Sequence, residues 1–300
     1  DLDDFKPVND GHGHAAGDGI LREVSVRLVQ TAPQAHVVAR LGGDEFAIAL
    51  GMSARDAIDV EALAARIVTA IREPYAWQGQ ALEINACAGV AVIAEPEIST
   101  DDMLRRADLA LYAAKAEGAG VCRAFEPHME LEALTQRALA ADLARAIAGD
   151  ELELAYQPVV DVDTLEIRYM EALLRWRHPQ LGAIPPLRFV KLAEETRQIA
   201  DLGRWVLRRA CADATNWQQN VGVAVNVSAL QLASGDFARD VETVLAQTGL
   251  RADRLELEIT ESVLLQDKSD DLAALRVLRQ SGVSIALDDF GTGFASMSYL

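Results

Sequence analysis

The chain reads as an α/β protein in two parts, and two observations carry that reading. From Asp1 to about Cys122, helical segments alternate with a hairpin and a further strand; after Asp150 apolar strands and amphipathic helices follow one another as β then α. Length agrees, because 300 residues suit two domains of the commonest size, roughly 100–150 residues each.

In the first part the helices are expected at Gly17–Val29, Ala54–Ile71 and Thr100–Ala116, where apolar residues recur at helical spacing. The runs HVVARL and FAIAL flank Gly42 and Gly43, and glycine tolerates the positive φ that a tight hairpin turn requires. The stretch ALEINACAGVAVI reads as another strand before the last helix. Residues 123–150 follow as a connecting helix, PHMELEALTQRALAADLARAIAG, closing on Gly149. In the second part the strands are ELELAYQPVVD, IRYMEALLRW, GVAVNVSA, RLELEITES and VSIALDD. Repeated βα units predict a parallel sheet covered by helices, open or closed into a barrel.

Composition excludes several classes. Forty-six acids against 28 bases leave a net charge of −18, a poor match to the phosphate backbone of long nucleic acid. No apolar run approaches the roughly 18 residues of a membrane span, and no secretory signal opens the chain. The three cysteines, Cys87, Cys122 and Cys211, are scattered and odd in number, which fits reduced thiols in a cytoplasmic protein. His12, His14, His36, His128 and His178 lie at no zinc-ligand spacing from a cysteine, so a metal here is expected on oxygen ligands.

Four strands of the second part carry a polar residue near their C-terminal ends: Glu171, Asn226, Glu258, and Asp288 with Asp289. Side chains alternate along a strand. Val223, Val225 and Val227 therefore share one face while Ala224, Asn226 and Ser228 share the other; Glu258 opposes Leu257 and Ile259, and Asp288 opposes Leu287. One acid at a strand end is most simply solvated. Four on the same face are costly unless a cation or proton pairs them. Carboxylates with one amide oxygen suit Mg²⁺ or Mn²⁺, and the C-terminal ends of parallel strands are where barrel enzymes place their chemistry. Adjacent aspartates could bridge two ions that activate water against a phosphodiester.

With AYQPVVD, EALLRWRHP, VNVS, LEITES and DDFGTGFAS in this order, the second part resembles the EAL family of cyclic-di-GMP phosphodiesterases from about Glu151 to Leu300. The resemblance implies that Glu171, Asn226, Glu258 and Asp288 hold one metal, Mg²⁺ or Mn²⁺, and that Asp289 serves a second. It also implies that Arg175 contacts phosphate, that Gln157 contacts substrate, and that Glu261 steadies the DDFGTG loop, which in the family couples metal binding to dimerisation.

Residues 1–122 resemble the GGDEF domains, the diguanylate cyclases, through DLDDFKPVNDGHGHAAGD, RLGGDEFAIAL and RRADLALYAAKAEG. That likeness implies Mg²⁺ on Asp1 and Asp44 with Glu45 beside them, guanine read by Asn9 and Asp18, and phosphate met by Lys6 and Lys115. Ala119 stands where the family often has an arginine, and PQAH at 33–36 replaces the inhibitory RxxD motif. Cyclase chemistry would require two such domains face to face, hence a homodimer.

The fold so implied is a partial GGDEF domain, with a mostly antiparallel central sheet, followed by the first five βα units of an EAL-type (β/α)₈ barrel. A barrel of this kind takes about 250 residues, so the chain reads as an internal fragment, inactive alone, of a longer cytoplasmic-facing protein that a membrane anchor could precede. The expected function is turnover of cyclic-di-GMP to linear pGpG, with GTP as substrate or regulator of the first part. The rival reading is a non-catalytic receptor for cyclic-di-GMP or GTP.

Overall fold

The structure is a computed structural model that describes residues 1–3, 5–51, 59–93, 98–149, 151–218, 221–260 and 269–288. Asp289 and Glu261, two of the expected site residues, lie outside the described residues. The chain divides into two compact units, Asp1–Thr135 and Gln136–Leu300.

The first unit runs β1 (Leu2–Asp3), α1 (Phe5–His12), α2 (His14–Thr31), β2 (Val37–Gly42), β3 (Glu45–Ala49), α3 (Val60–Arg72), β4 (Tyr75–Trp77), β5 (Gln80–Leu82), β6 (Asn85–Ala86), β7 (Ala88–Val90), α4 (Thr100–Glu117) and β8 (Cys122–Ala124). β2 and β3 form the expected antiparallel hairpin, with Gly43 at φ +52° in its turn. The single strand read at ALEINACAGVAVI is instead three short pieces. β5 pairs antiparallel with β4, β6 antiparallel with β1, and β7 parallel with β8. The core is formed by Ile20, Leu21, Val24 and Leu28 of α2 against Leu63, Ile67 and Ile71 of α3, the i, i+3/i+4 stripe of an amphipathic helix in each case. Asp59 caps α3 by accepting from the Ala62 N–H at 3.0 Å.

The helix α5 (Pro127–Ala148) contains the boundary between the units, and its Leu139, Leu143 and Ala146 are buried in the second. The second unit continues with β9 (Leu152–Val160), β10 (Ile167–His178), β11 (Gly182–Ile184), α6 (Pro186–Glu195), α7 (Ile199–Ala214), β12 (Gly222–Val227), α8 (Ala229–Leu232), α9 (Phe237–Thr248), β13 (Leu255–Thr260), α10 (Ser269–Gln280) and β14 (Ser284–Asp288). β10, β12, β13 and β14 are successive parallel neighbours.

The rhythm of a helix after every strand fails at the first connection. β9 and β10 are an antiparallel hairpin, and β11 also pairs antiparallel with β10. The link DVDTLE is too short for a parallel crossover, which needs about a dozen residues. It closes instead on Asp161, whose carboxylate accepts from the Asp163 and Thr164 N–H groups at 3.1 and 3.0 Å.

Alternation then decides which face is covered. Val223, Val225, Val227, Leu255, Leu257 and Ile259 are buried with Leu207, Ala210, Cys211 and Ala214 of α7 and Phe237, Val241 and Val244 of α9. Each such aliphatic side chain contributes about 1.5–3 kcal/mol when fully buried. A one-residue slip in register would put the whole set on the wrong face. Arg254 joins the end of α7 to the start of β13, donating to the carbonyls of Ala214, Gln218 and Val221 at 2.7–3.2 Å.

Candidate active site

The face of the sheet left by those helices carries the acids. Glu171 is level with Ala224, and Ala224 with Glu256; one pleat further on, Asn226 is level with Glu258 and Glu258 with Ala286; Asp288 stands level with Thr260, one pleat beyond that. The residues therefore climb toward the strands' C-terminal ends from β10 to β14. Asn226 donates from Nδ2 to Glu171 Oε1 at 2.9 Å, tying the two strands side chain to side chain.

Glu258 holds the least comfortable position. Burial first, and then the negative charges of Glu171, Asp288 and Glu256, push its carboxyl up to about 7. Its Oε2 is buried without a hydrogen-bond partner. An orphaned carboxylate oxygen among like charges is what a divalent cation would neutralise. In donor type and in charge the residues fit Mg²⁺ or Mn²⁺. In spacing they stand wider, since among the described residues no three of His, Cys, Asp or Glu come close enough to enclose an ion.

Gln157 is the antiparallel partner of Glu171 and shares its face; Arg175 lies on that face too, two pleats past Glu171, with Nη1 donating to the Leu174 carbonyl at 3.0 Å. Sequence reasoning passed over Glu256, although the alternation in LELEIT that selects Glu258 selects it as well; burial raises its carboxyl, with Arg168 opposing. A cleft of about 680 Å³ does open in this unit, but Arg168, Tyr169, Glu256 and Ser284 line it, at the N-terminal ends of the strands and away from the convergence at Asn226 and Glu258.

In the first unit a cleft of about 300 Å³ is lined by Lys6, Asn9, Asp18 and Asp44, four of the residues expected to bind ligand, together with Phe5, His14, Leu21, Arg40 and Gly43. Gly17 makes room for Asn9 there, for a Cβ at residue 17 would lie 2.1 Å from Asn9 Oδ1. Asp1 and Lys115 are not in the cleft lining. They pair with each other, Lys115 Nζ to Asp1 Oδ1 at 2.5 Å, and the Leu2 N–H bonded to the Asp44 carbonyl at 3.3 Å joins that strand end to the hairpin tip. Glu45 is exposed beside Asp44. His14 and Arg40 gave no sequence signal, because their place in the cleft depends on a fold contact between α2 and the hairpin.

Residues 1–120 match the model of the diguanylate cyclase GGDEF domain, and residues 140–300 match that of the EAL domain. The cyclic di-GMP phosphodiesterase NbdA of Pseudomonas aeruginosa is 37% identical over 304 residues, covering 100% of this chain and 39% of that protein. The bifunctional diguanylate cyclase/cyclic di-GMP phosphodiesterase MucR of the same species is 38% identical over 304 residues, covering 100% of this chain and 44% of that protein. A solved structure described as the PaMucR phosphodiesterase in complex with c-di-GMP superposes with a TM-score of 0.50 at 40% identity, over 53% of this chain and 66% of that one. The chain spans less than half the length of either relative.

Proposed function

This chain belongs to the EAL-domain family, with a GGDEF domain ahead of the EAL domain, and on that premise we propose that it acts in cyclic-di-GMP turnover. The second unit opens the cyclic dinucleotide to linear pGpG. The first condenses two GTP into cyclic-di-GMP, or holds GTP as a regulator of the second. The observation that carries the hydrolase reading is the raised, orphaned Glu258 carboxylate facing Glu171 and Asp288 across parallel strand ends.

Glu171, Asn226, Glu258 and Asp288 would hold a divalent cation, Mg²⁺ or Mn²⁺, which when bound makes water a nucleophile at neutral pH and polarises a phosphodiester. Asn226 orients Glu171 through its amide N–H. Arg175 meets a non-bridging phosphate oxygen with a charge-assisted hydrogen bond, and Gln157 offers an amide beside Glu171 for the substrate's edge. Asp289, next to Asp288 in sequence, serves a second cation, and Glu261 steadies the loop that follows.

In the first unit Asp18 accepts from guanine N–H groups while Asn9 donates to its oxygen, the complementary inventory of an acid and an amide. Lys6 and Lys115 balance the triphosphate, Asp1 and Asp44 carry its Mg²⁺, and Glu45 stands beside them. Two copies face to face bring two GTP together, so cyclase activity requires a homodimer.

The test is a titration with cyclic-di-GMP in Mg²⁺ or Mn²⁺, paired with chromatography of the nucleotide products from the full-length protein. Binding that needs the metal, with pGpG as product and loss of both in Glu171→Gln, is the expected outcome. Metal-independent binding with no pGpG would overturn the hydrolase reading.

A further inference from the structure

Ser228 follows the last residue of β12, two positions after Asn226, and every hydrogen-bonding group it has is engaged. Its N–H donates to Gln231 Oε1 at 3.0 Å, its carbonyl accepts from the Gln231 N–H at 3.0 Å, and its Oγ accepts from the Leu230 N–H at 3.2 Å. The same Oγ donates to Glu194 Oε1 at 2.6 Å, on the last turn of α6. Asn226 is the reverse case. It is exposed, its Nδ2 is given to Glu171, and among the described residues its Oδ1 accepts no hydrogen bond.

These bonds exceed what α8 itself calls for. A helix of four residues has almost no stability of its own, yet this one carries a complete capping box. Gln231, the return arm of that box, is 6% exposed, and its bond to the Ser228 N–H offsets the cost of burying an amide. Gly203 of α7 lies against it, for a Cβ at residue 203 would run into the Gln231 amide. Three helices therefore converge on the residue that closes the strand. Val227, between Asn226 and Ser228, is packed in the core shared by the sheet and its helices. Asn226 is thus exposed on a backbone that is bonded and packed immediately after it.

We infer that Glu194, Ser228 and Gln231 are positioning residues for Asn226. The Glu194–Ser228 hydrogen bond and the capping box hold the end of β12 so that Asn226 keeps its Oδ1 open for a divalent cation while its Nδ2 stays on Glu171. Glu194 acts here as a hydrogen-bond acceptor and not as a charge. The inference rests on the reading of Glu171, Asn226, Glu258 and Asp288 as cation ligands, and it adds the groups that set one of them. Removing an outer partner of this kind typically costs about tenfold to a hundredfold in metal affinity.

The test measures Mn²⁺ binding to the full-length protein without nucleotide, from the paramagnetic resonance of the free ion, alongside the unfolding midpoint in chelator. Only the binding that Glu171→Gln abolishes is counted, which sets aside ions held by the first unit. Ser228→Ala and Glu194→Leu remove the hydrogen bond from its two sides; Glu194→Gln keeps an acceptor oxygen and removes the charge. The Mn²⁺ dissociation constant is expected to rise about tenfold in the first two and to stay within about twofold of the original in Glu194→Gln. If Ser228→Ala and Glu194→Leu lower the midpoint but bind Mn²⁺ as tightly as the unaltered protein, the network only caps α8; the inference fails and the cation reading stands. A loss in Glu194→Gln as large as in Glu194→Leu would assign the effect to charge and also overturn it. The two Glu194 variants decide alone if Ser228→Ala does not fold. If the unaltered protein shows no Mn²⁺ binding that depends on Glu171, the cation reading falls, and the inference with it.

Discussion

Replacing Glu258 by glutamine is expected to stabilise the metal-free protein at pH 8 and to destabilise it, relative to the unaltered chain, once Mg²⁺ is present. Glu258 is pushed from 4.5 up to about 7, chiefly by burial and then by Glu171, Asp288 and Glu256. A folded-state value above the unfolded one means that the carboxyl's contribution is fully favourable below about pH 4.5 and is lost as pH rises through about 7. At pH 8 the ionised group therefore sits in the fold at a cost. A shift of this size corresponds to about 3.4 kcal/mol at about 1.36 kcal/mol per unit, and discounting for solvent at a half-buried group leaves about 1–2 kcal/mol.

Glutamine carries no such cost at either pH. Thermal unfolding in chelator at pH 8 should place Glu258→Gln about 2 to 8 °C above the unaltered chain, and most of that gap should close at pH 5. Adding Mg²⁺ to about a hundred times its dissociation constant stabilises whichever chain binds it by about 2.7 kcal/mol. That gain should be large for the unaltered chain and small for the variant, so the order of the two midpoints reverses. Equal midpoints at pH 8 without metal, or a gap that persists unchanged at pH 5, would refute the reasoning.

Other perturbations separate positioning from stability. Gly17→Ala would set a Cβ 2.1 Å from Asn9 Oδ1 and 3.0 Å from Phe5 Cζ; GTP affinity measured by calorimetry should drop about tenfold by loss of a hydrogen bond, while the helix, favoured by about 1 kcal/mol over glycine, keeps its unfolding midpoint. Arg254→Ala removes the guanidinium that bonds the carbonyls of Ala214, Gln218 and Val221, the first two of which keep the N–H groups of Trp217 and Val221; urea unfolding should show a loss of about 2–3 kcal/mol with an unchanged slope. Cys211 is fully buried and burial pushes its thiol up to about 12, so iodoacetamide at pH 8 should label it only after denaturant is added, as read by mass spectrometry of the peptide.

What the sequence makes legible is the short-period information. Alternation in VAVNV and LELEIT sorted valines, leucines and isoleucine to the helix side and Asn226 and Glu258 to the other, as the burial of Val223, Val225, Leu257 and Ile259 shows. The hairpin at Gly42 and Gly43 followed from glycine's tolerance of positive φ. Hidden were the contacts that only chain folding creates. Lys115 meets Asp1 from the far side of the unit's sequence, and Arg40 reaches the cleft because the hairpin lies beside α1 and α2. The β9–β10 hairpin was obscured for a different reason: its turn is closed by an aspartate side chain in DVDTLE, which carries no Asn-Gly or Gly-Gly signal.

The same physics explains why one member of the acidic row is an amide. Glu171, Glu256, Glu258 and Asp288 already place four carboxylates on one face of neighbouring strands, and the raised Glu258 records its burial first and then the repulsion of the other three. A further carboxylate level with Glu258 on the adjacent strand would deepen that repulsion, since like charges directly opposite in a sheet are destabilising. Asn226 occupies that place, and its Nδ2–H gives Glu171 a hydrogen bond at 2.9 Å that a carboxylate could not. It keeps an oxygen for a cation while adding no charge when the cation is absent. Asn226→Asp should accordingly lower the unfolding midpoint of the metal-free chain at pH 8, and an unchanged or higher midpoint would show that the row is more screened than its geometry implies.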